Sequence, residues 1–582
     1  MRERDRSINS TTDFLITPTM QAPLETSLVL SKGTGNPTWS RTTKAWGFNE
    51  LGYLEELASG CAFFGGARLV RNTIKTKSED FSNAIWGKTN VTVSGTNTIV
   101  CANATSVQSI AQTSSNAVSQ VGQKYAYFVR VQRVAGGVDY LQLVGPIGIF
   151  GTGQFANFSL INGTYSATGC TTSITLVEGT TDTYDIGVYF TATVGDVYVT
   201  VTLKLANSLS DTRLQTFVGD GVKSVNLLRA LSVDVTNYNA SYVPEYVSVG
   251  VVSTPFFGAG VDGAKYYETD WQGAPIPTAN LLGFRRESAA TNNLLYSRDL
   301  SNAAWSTKTN ITAAKTATGL DGIANTATTL TATAADATIL QPITLTSADR
   351  CASAYVKRMT GTATISFTQD GGSTWTDITS LINSSTWARV EITSTLANPS
   401  VGFKISTSGD AIAVDCVQNE AGAVATSPVV TTTATVTRNT DSLTYQTASN
   451  INFTVGSHFE EWSTPCSSYT GFPVSCGSNG RLVYTSGGEI RTYDGTTAVA
   501  KTGISFVNNA AMKTAGAWSV PGGLKLSVNG TATVSGAFDG TLGDGAVISI
   551  GSGTASSEPV YVKRVAIYNY QMTDAELQEI TK

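Results

Sequence analysis

SEDFSNAIWGKTN, Ser78–Asn90, and SRDLSNAAWSTKTN, Ser297–Asn310, are one stretch written twice. Ser, Asp, Ser-Asn-Ala and Trp fall at the same spacing in both, 219 residues apart, and one residue inserted after Trp305 makes the offset 220 at the closing Lys-Thr-Asn. That period is too long for a solenoid repeat, so it reads as a duplicated domain. Asp80 and Asp299 can accept backbone N–H groups and start a turn or short helix, with the Ser-Asn pair following. The indole then lies about where that turn hands over to a strand. A buried Trp covers about 150–250 Å², worth at most about 4–6 kcal/mol at roughly 25 cal/mol per Å². Trp86 and Trp305 are therefore expected to be core plugs, each closing the edge of its own sandwich. A sugar-stacking Trp is the alternative.

A length of 582 residues predicts three to five domains. Charged residues make up only 14% of the chain, while Gly contributes 55 residues and Ser and Thr are abundant. Val, Ile, Thr and Tyr alternate with small polar residues over most of the length, which is a sandwich-rich, mostly β composition. A surface of hydroxyls and amides rather than charges suits an extracellular or particle-bound protein. The formal net charge of −5 comes with no basic patch, so nucleic acid is not an expected partner. The run Arg2-Glu3-Arg4-Asp5-Arg6 mixes signs and reads as a solvated end. No apolar run approaches the roughly 20 residues of a membrane span. The start, MRERDRSINSTTDFLITP, lacks the apolar core of a secretory signal, so the expectation is synthesis in the cytoplasm without a signal peptide.

Seven cysteines, Cys61, Cys101, Cys170, Cys351, Cys416, Cys466 and Cys476, form no CxxC, and the single His458 cannot complete a zinc site with them. Most read as buried small hydrophobes. Cys466 and Cys476 lie within one hairpin length and could bridge, less readily in a reducing compartment.

Taken in order, residues 1–25 read as an N-terminal arm for docking into a larger assembly, or a disordered end. Residues 26–72 read as a short leading segment ahead of the first sandwich. Residues 73–246 form a first jelly-roll sandwich, with alternating strands at Tyr125-Ala-Tyr-Phe-Val-Arg-Val, Asp139-Tyr-Leu-Gln-Leu-Val and Thr183-Tyr-Asp-Ile-Gly-Val-Tyr-Phe. Residues 247–296 are a second such leading segment or linker, and 297–440 a second, shorter jelly-roll sandwich. Residues 441–582 differ. Leu524-Lys-Leu-Ser-Val-Asn-Gly530 runs into an Asn-Gly turn. Thr573 and Glu576 stand at capping-box spacing before a short final helix.

Several of these residues carry a resemblance. Gly283 to Glu287, Thr291-Asn-Asn-Leu-Leu-Tyr-Ser297, Asp299 to Trp305, and Thr435 to Asp441 together resemble virion proteins of tailed bacteriophages that carry carbohydrate-binding-module-like jelly rolls. The first copy departs from that pattern at Arg71-Asn72 and Lys75-Thr-Lys77, so the two copies have diverged. Leu526-Ser-Val-Asn-Gly530, Ile548-Ser-Ile-Gly551 and Arg564-Val-Ala-Ile-Tyr568 to Leu577 are similar to the concanavalin A-like (laminin-G-like) sandwiches of the same proteins. The resemblance covers most of the chain after residue 26. It implies a fibre, receptor-binding protein or head fibre of the particle, often a trimer, attached to other virion proteins through the N-terminal arm.

Enzymatic chemistry finds little footing. A glycanase needs two carboxylates facing one groove, about 5–5.5 Å or about 6.5–9.5 Å apart. Glu460-Glu461-Trp462 is the nearest candidate, but adjacent strand residues point to opposite faces. His458 lacks Ser and Asp partners with any local signature. Gly219-Asp-Gly221 and Gly543-Asp-Gly545 read as turns, and no phosphate loop or dinucleotide fingerprint occurs. No cofactor, metal or catalytic residue is expected. Sugar contact would need exposed aromatics beside amides and carboxylates, for which Trp375, Tyr469 and Tyr493 are the candidates, each with a packing role as its alternative. The sequence reading is an all-β virion protein, two tandem jelly rolls and a concanavalin A-like sandwich, contacting cell-surface glycan without catalysis. The rival readings are a head-decorating protein of weak adhesion and, third, a glycan depolymerase.

Overall fold

The computed structural model describes residues 17–118, 121–151, 153–195, 197–239, 242–253, 256–467, 469–477, 480–543, 545–551 and 558–582. The described chain is all-β, and the strands of its sandwich sheets pair antiparallel. It divides into two compact units. One holds the described residues of Met1–Arg68, Gly258–Gly260 and Pro275–Lys582; the other holds Leu69–Phe257 and Val261–Ala274.

The second of these units is the first sandwich. One sheet runs Thr171–Leu176, Thr183–Thr191, Lys124–Arg133, Ser224–Asp234, Thr98–Cys101, Val91–Ser94. The facing sheet runs Thr164–Thr168, Phe155–Ser159, Tyr140–Val144, Val197–Ala206, Ser109–Val118, Gly87–Thr89. The alternation read in the sequence is the core: Tyr125, Tyr127, Val129 and Val131 face Leu141, Leu143, Phe158 and Leu203 across the two layers.

The second sandwich repeats this plan. Ala388–Leu396, Ala348–Thr360, Ala411–Ala421, Ala327–Ala332 and Ile311–Ala317 form one sheet. Thr376–Asp377, Ile365–Thr368, Ser400–Ile405, Ala337–Pro342 and Thr307–Thr309 form the other. Matched in chain order, these ten strands correspond one to one with ten of the first sandwich. The first sandwich adds the consecutive edge strands Thr164–Thr168 and Thr171–Leu176, one to each sheet, and a small two-stranded sheet of Thr105–Ser106 with Phe217–Val218.

The repeated stretch keeps its bonding as well as its letters. Trp86, 2% exposed, and Trp305, 0% exposed, are each buried. Their indole N–H groups donate to the carbonyls of Lys77 (2.9 Å) and Tyr296 (3.3 Å), nine residues upstream in both cases. Lys77 and Tyr296 both take positive φ, 57° and 48°. Ser78 and Ser297 each accept a backbone N–H on the hydroxyl, from Val249 (3.0 Å) and Thr431 (2.9 Å).

The final sandwich is assembled from distant pieces. One sheet runs Val534–Gly536, Gly523–Val528, Met512–Ser519, Gly456–Ser463, Val560–Tyr568, Gly283–Arg286, Phe64–Gly65, with Met20–Ala22 also pairing Val560–Tyr568. Thr38–Ser40 lies on the edge of the other sheet beside Ser442–Gln446. The domain boundaries read from the sequence shift accordingly. Residues 1–16 of the expected arm lie outside the described residues. Met20–Ala22 is no free arm but a strand registered on Val565–Ile567. The leading segment 26–72 supplies edge strands to the C-terminal sandwich. The linker 247–296 splits, its earlier part packing on the first sandwich and Gly283–Arg286 entering the last. The closing helix, Asp574–Ile580, carries the expected capping box between Thr573 and Glu576.

Charged residues at the two ends of the second sandwich converge. Glu287 lies 3.4 Å from Arg285 and 3.5 Å from Arg438. Asp441 lies 3.3 Å from Arg438 and 3.1 Å from Arg41. Ser427 donates its N–H (2.8 Å) and hydroxyl (2.6 Å) to Glu287, and the Glu287 N–H donates to Asp441 (2.9 Å). All five charged side chains are buried. They tie the entry and exit of the second sandwich to the N-terminal segment of the same unit.

Candidate functional site

The strand Lys124–Arg133 decides where a polar surface can form. Its outward residues run Ala126, Phe128, Arg130, Gln132, apolar for the first half and polar for the second. The apolar half is covered: Ala126, Phe128, Tyr189, Leu231 and Val233 pack under Tyr238, Tyr242, Tyr246, Phe257 and Trp271 from the chain that folds back over the sheet. The Tyr189 hydroxyl donates to the Tyr242 carbonyl at 2.6 Å, fixing that cover.

The polar half stays open and is ordered in two rows across the strands. In the first row Asp185 receives a bidentate pair from Arg130, Nε at 2.8 Å and Nη2 at 2.6 Å, and Arg229 Nη2 lies 3.6 Å from the same carboxylate. The Arg229 guanidinium lies 4.6 Å from the centroid of the Tyr246 ring, and the Tyr246 hydroxyl donates to Glu79 at 3.0 Å. In the second row Thr98 donates to Asn226 (2.8 Å), Asn226 to Gln132 (3.1 Å), and Gln132 to Asp182 (3.3 Å). The side chains of Arg130, Asp185 and Arg229 are 25%, 30% and 31% exposed. The hydrogen bonds to Asp185 raise the Arg130 pKa above its ordinary value, while burial lowers that of Arg229 against the pull of Asp185. The result is a flat array of amides, guanidinia and carboxylates whose rotamers are set by one another.

The matching face of the second sandwich is closed. Where the first copy has Glu79, the second has Arg298, one residue after the shared Ser. Arg298 is buried with Asp415 (Nε to Oδ1, 2.7 Å) and Asp321 (2.6 Å). Leu54, Phe48, Trp46 and Leu320 pack over the same region beside Tyr355 and Trp387. The longer loop between Ile311–Ala317 and Ala327–Ala332 supplies Leu320 and Asp321, whereas Val91–Ser94 and Thr98–Cys101 are joined by three residues.

The residues singled out in the sequence fall elsewhere. Trp375 is half-buried beside its own hairpin loop, its ring against Gly372 and 5.4 Å from the Lys404 ammonium. The loop is built on Asp370, which accepts from Thr368 Oγ1 (2.8 Å) and the Thr374 N–H (2.9 Å). Tyr469 is a core residue, 3% exposed and 5.7 Å from Trp462, so it cannot meet a glycan at the surface. Tyr493 is half-buried, donates its hydroxyl to the Gly495 carbonyl, and stands edge-on to Tyr484. Asp220 closes a turn by accepting the N–H groups of Val222 and Lys223, which hold its pKa down to about 2. Asp544 lies outside the described residues. Glu460 is buried against His458 Nδ1 (2.9 Å) and Thr514 (3.0 Å), whereas Glu461 pairs with Lys563 (3.0 Å), so the two carboxylates serve different surroundings.

No family model and no curated protein matches this sequence. Solved structures to which the chain is similar include the CBM40 of the Ruminococcus gnavus IT-sialidase, bound to α2,3-sialyllactose. It is 14% identical over 24% of this chain and 91% of that one, with a TM-score of 0.20. Another is the CBM22-1–CBM22-2 tandem of Paenibacillus barcinonensis Xyn10C, 10% identical over 63% of this chain and 100% of that one, with a TM-score of 0.18. Ligand and chemistry do not follow for this chain at such scores.

The polar face was missed in the sequence because its members come from four strands far apart in the chain. The one local sign was the change from Ala126 and Phe128 to Arg130 and Gln132 along the outward register of a single strand.

Proposed function

We propose that this protein is a non-catalytic adhesive component of a tailed-bacteriophage virion, a fibre or receptor-binding appendage, and that the open polar face of its first sandwich contacts host cell-surface glycan. The observation that carries the glycan reading is the pair of cross-strand rows, Asp185–Arg130–Arg229 and Asp182–Gln132–Asn226–Thr98. Sugars present adjacent hydroxyls that both donate and accept, and amides and carboxylates match them. Side chains already held by their neighbours lose little rotamer freedom on binding. A single flat face binds weakly, and a trimer carrying three such faces gains by avidity. The virion reading rests on the resemblance in Gly283 to Trp305 and Thr435 to Asp441. The non-catalytic reading is supported by the separate surroundings of Glu460 and Glu461.

The test is binding of the full chain to immobilised host surface polysaccharide. Gln132→Ala combined with Asn226→Ala is expected to weaken binding about tenfold or more, two lost hydrogen bonds to ligand, with no change in unfolding temperature. Unchanged binding would overturn the assignment of the face. Release of reducing ends from the polysaccharide would overturn the non-catalytic reading, and gold labelling of intact particles locates the chain on the virion.

A further inference from the structure

The strand Gly456–Ser463 shifts register between Glu461 and Trp462. Both residues line a groove of about 380 Å³ in the last sandwich, together with Leu281, Asn509 and Lys563. That volume lies within the roughly 300–1,000 Å³ of small-ligand sites. The chemistry of the lining is specific. Glu461 Oε1 and Lys563 Nζ lie 3.0 Å apart, and Nζ also donates to the Thr278 carbonyl at 3.0 Å. An ammonium has three protons to donate, so one remains for a ligand. Trp462 is 1% exposed, its ring packed 5.7 Å from that of Tyr469, so it borders the groove without offering its indole N–H to it. Asn509, exposed and held at φ 58°, brings an amide to the same groove.

We infer that this groove binds one pyranose unit of a neutral glycan. A hydroxyl pair would bridge the Glu461 carboxylate and the Lys563 ammonium, and the Asn509 amide would bond a further ligand oxygen. The C–H face of the ring would rest on Leu281 and the neighbouring alanines. Neutrality follows from the ion pair. Glu461 and Lys563 balance each other, and a charged ligand would have to separate a largely buried pair at a desolvation cost. The site shares no residue with the polar face of the first sandwich and does not depend on it.

Fluorine NMR of the full chain labelled with fluorotryptophan tests this, the Trp462 line being assigned by its loss in Trp462→Phe. Methyl glucoside, methyl galactoside and N-acetylglucosamine are titrated to millimolar concentrations, with glucuronate as the anionic control. At least one neutral sugar is expected to move the Trp462 line, and glucuronate is not. Glu461→Gln and Asn509→Ala are each expected to raise the midpoint about tenfold, Asn509→Ala without any change in unfolding temperature. Gln132→Ala is expected to leave the titration unaltered, which separates this site from the first. The inference fails if no neutral sugar moves the line, if glucuronate alone does, or if both variants keep the original midpoint.

Discussion

Asn72 and Asn292 make the same four hydrogen bonds in their respective sandwiches. The Asn72 amide donates to the carbonyls of Ala230 (3.1 Å) and Val247 (2.8 Å) and accepts from the N–H groups of Ile74 (3.1 Å) and Ser232 (3.2 Å). Asn292 donates to Val417 (3.0 Å) and Val429 (2.9 Å) and accepts from Leu294 (3.1 Å) and Asn419 (3.1 Å). Each joins three chain segments that the fold must hold in register, and each is buried. The duplication therefore reaches upstream of the repeated stretch, into a region where the two sequences look different.

This bonding predicts that Asn292→Ala destabilises its unit by about 3 kcal/mol, four buried groups losing their partner at once. Asn72→Ala is expected to do the same to the first sandwich. Asn292→Asp should be worse than Ala, because a carboxylate would face the carbonyls of Val417 and Val429. Denaturant titration followed by hydrogen exchange, which reads the two units separately, measures all three. A loss under about 1 kcal/mol in either alanine variant would contradict the shared role.

Trp305→Ala is expected to cost about 3–5 kcal/mol, enough to open the second sandwich, whereas Trp305→Phe should cost less. The indole is fully buried and also donates to Tyr296. If Trp305→Ala left the unfolding transition in place and altered only sugar binding, the indole would be a ligand contact after all.

Much of this architecture is legible in the residues themselves. The duplicated Trp stretch gives the tandem sandwiches, the alternation of Tyr125 to Val131 gives an inward and an outward face, and Thr573 with Glu576 marks the last helix. The composite final sandwich is not legible. Met20–Ala22 and Gly283–Arg286 are too short for their periodicity to register, and their partners are remote: the Thr19 hydroxyl meets the Ile567 carbonyl across 548 residues of chain. Side chains on different strands assemble the polar face, so no local motif announces it. The aromatic residues chosen as sugar contacts fail as a guide for the converse reason, since Tyr469 satisfies the core before it could serve a ligand.

Reducing agent is expected to leave the unfolding temperature unchanged. Cys466 and Cys476, close enough in sequence to bridge, are not joined by a disulfide, and none of the other five cysteines is in one. Burial pushes the Cys466 thiol up to about 11, so little thiolate forms at neutral pH and alkylation of the native protein should be slow. A drop in unfolding temperature on adding dithiothreitol would reveal a bridge.

The buried charge cluster around Glu287 predicts an acid-labile unit. Burial by itself would raise the Glu287 pKa. The guanidinium groups of Arg285 and Arg438 and the two hydrogen bonds from Ser427 outweigh it and hold the carboxyl down to about 2, against 4.5 for an ordinary Glu. The folded state thus prefers the ionised form. The stability this confers is fully present above the ordinary value and is lost as the pH falls from about 5 towards 2, where the folded carboxyl finally takes its proton. The shift corresponds to about 3 kcal/mol. Glu287→Gln should therefore destabilise the unit at neutral pH, leaving Arg285 and Arg438 short of a counter-charge in a buried site, and should flatten the acid limb of the stability curve. Denaturant midpoints of the two proteins at pH values between about 2 and 7 provide the comparison. Parallel curves would mean that Glu287 is not the group that titrates, and that the acid sensitivity belongs to other carboxylates.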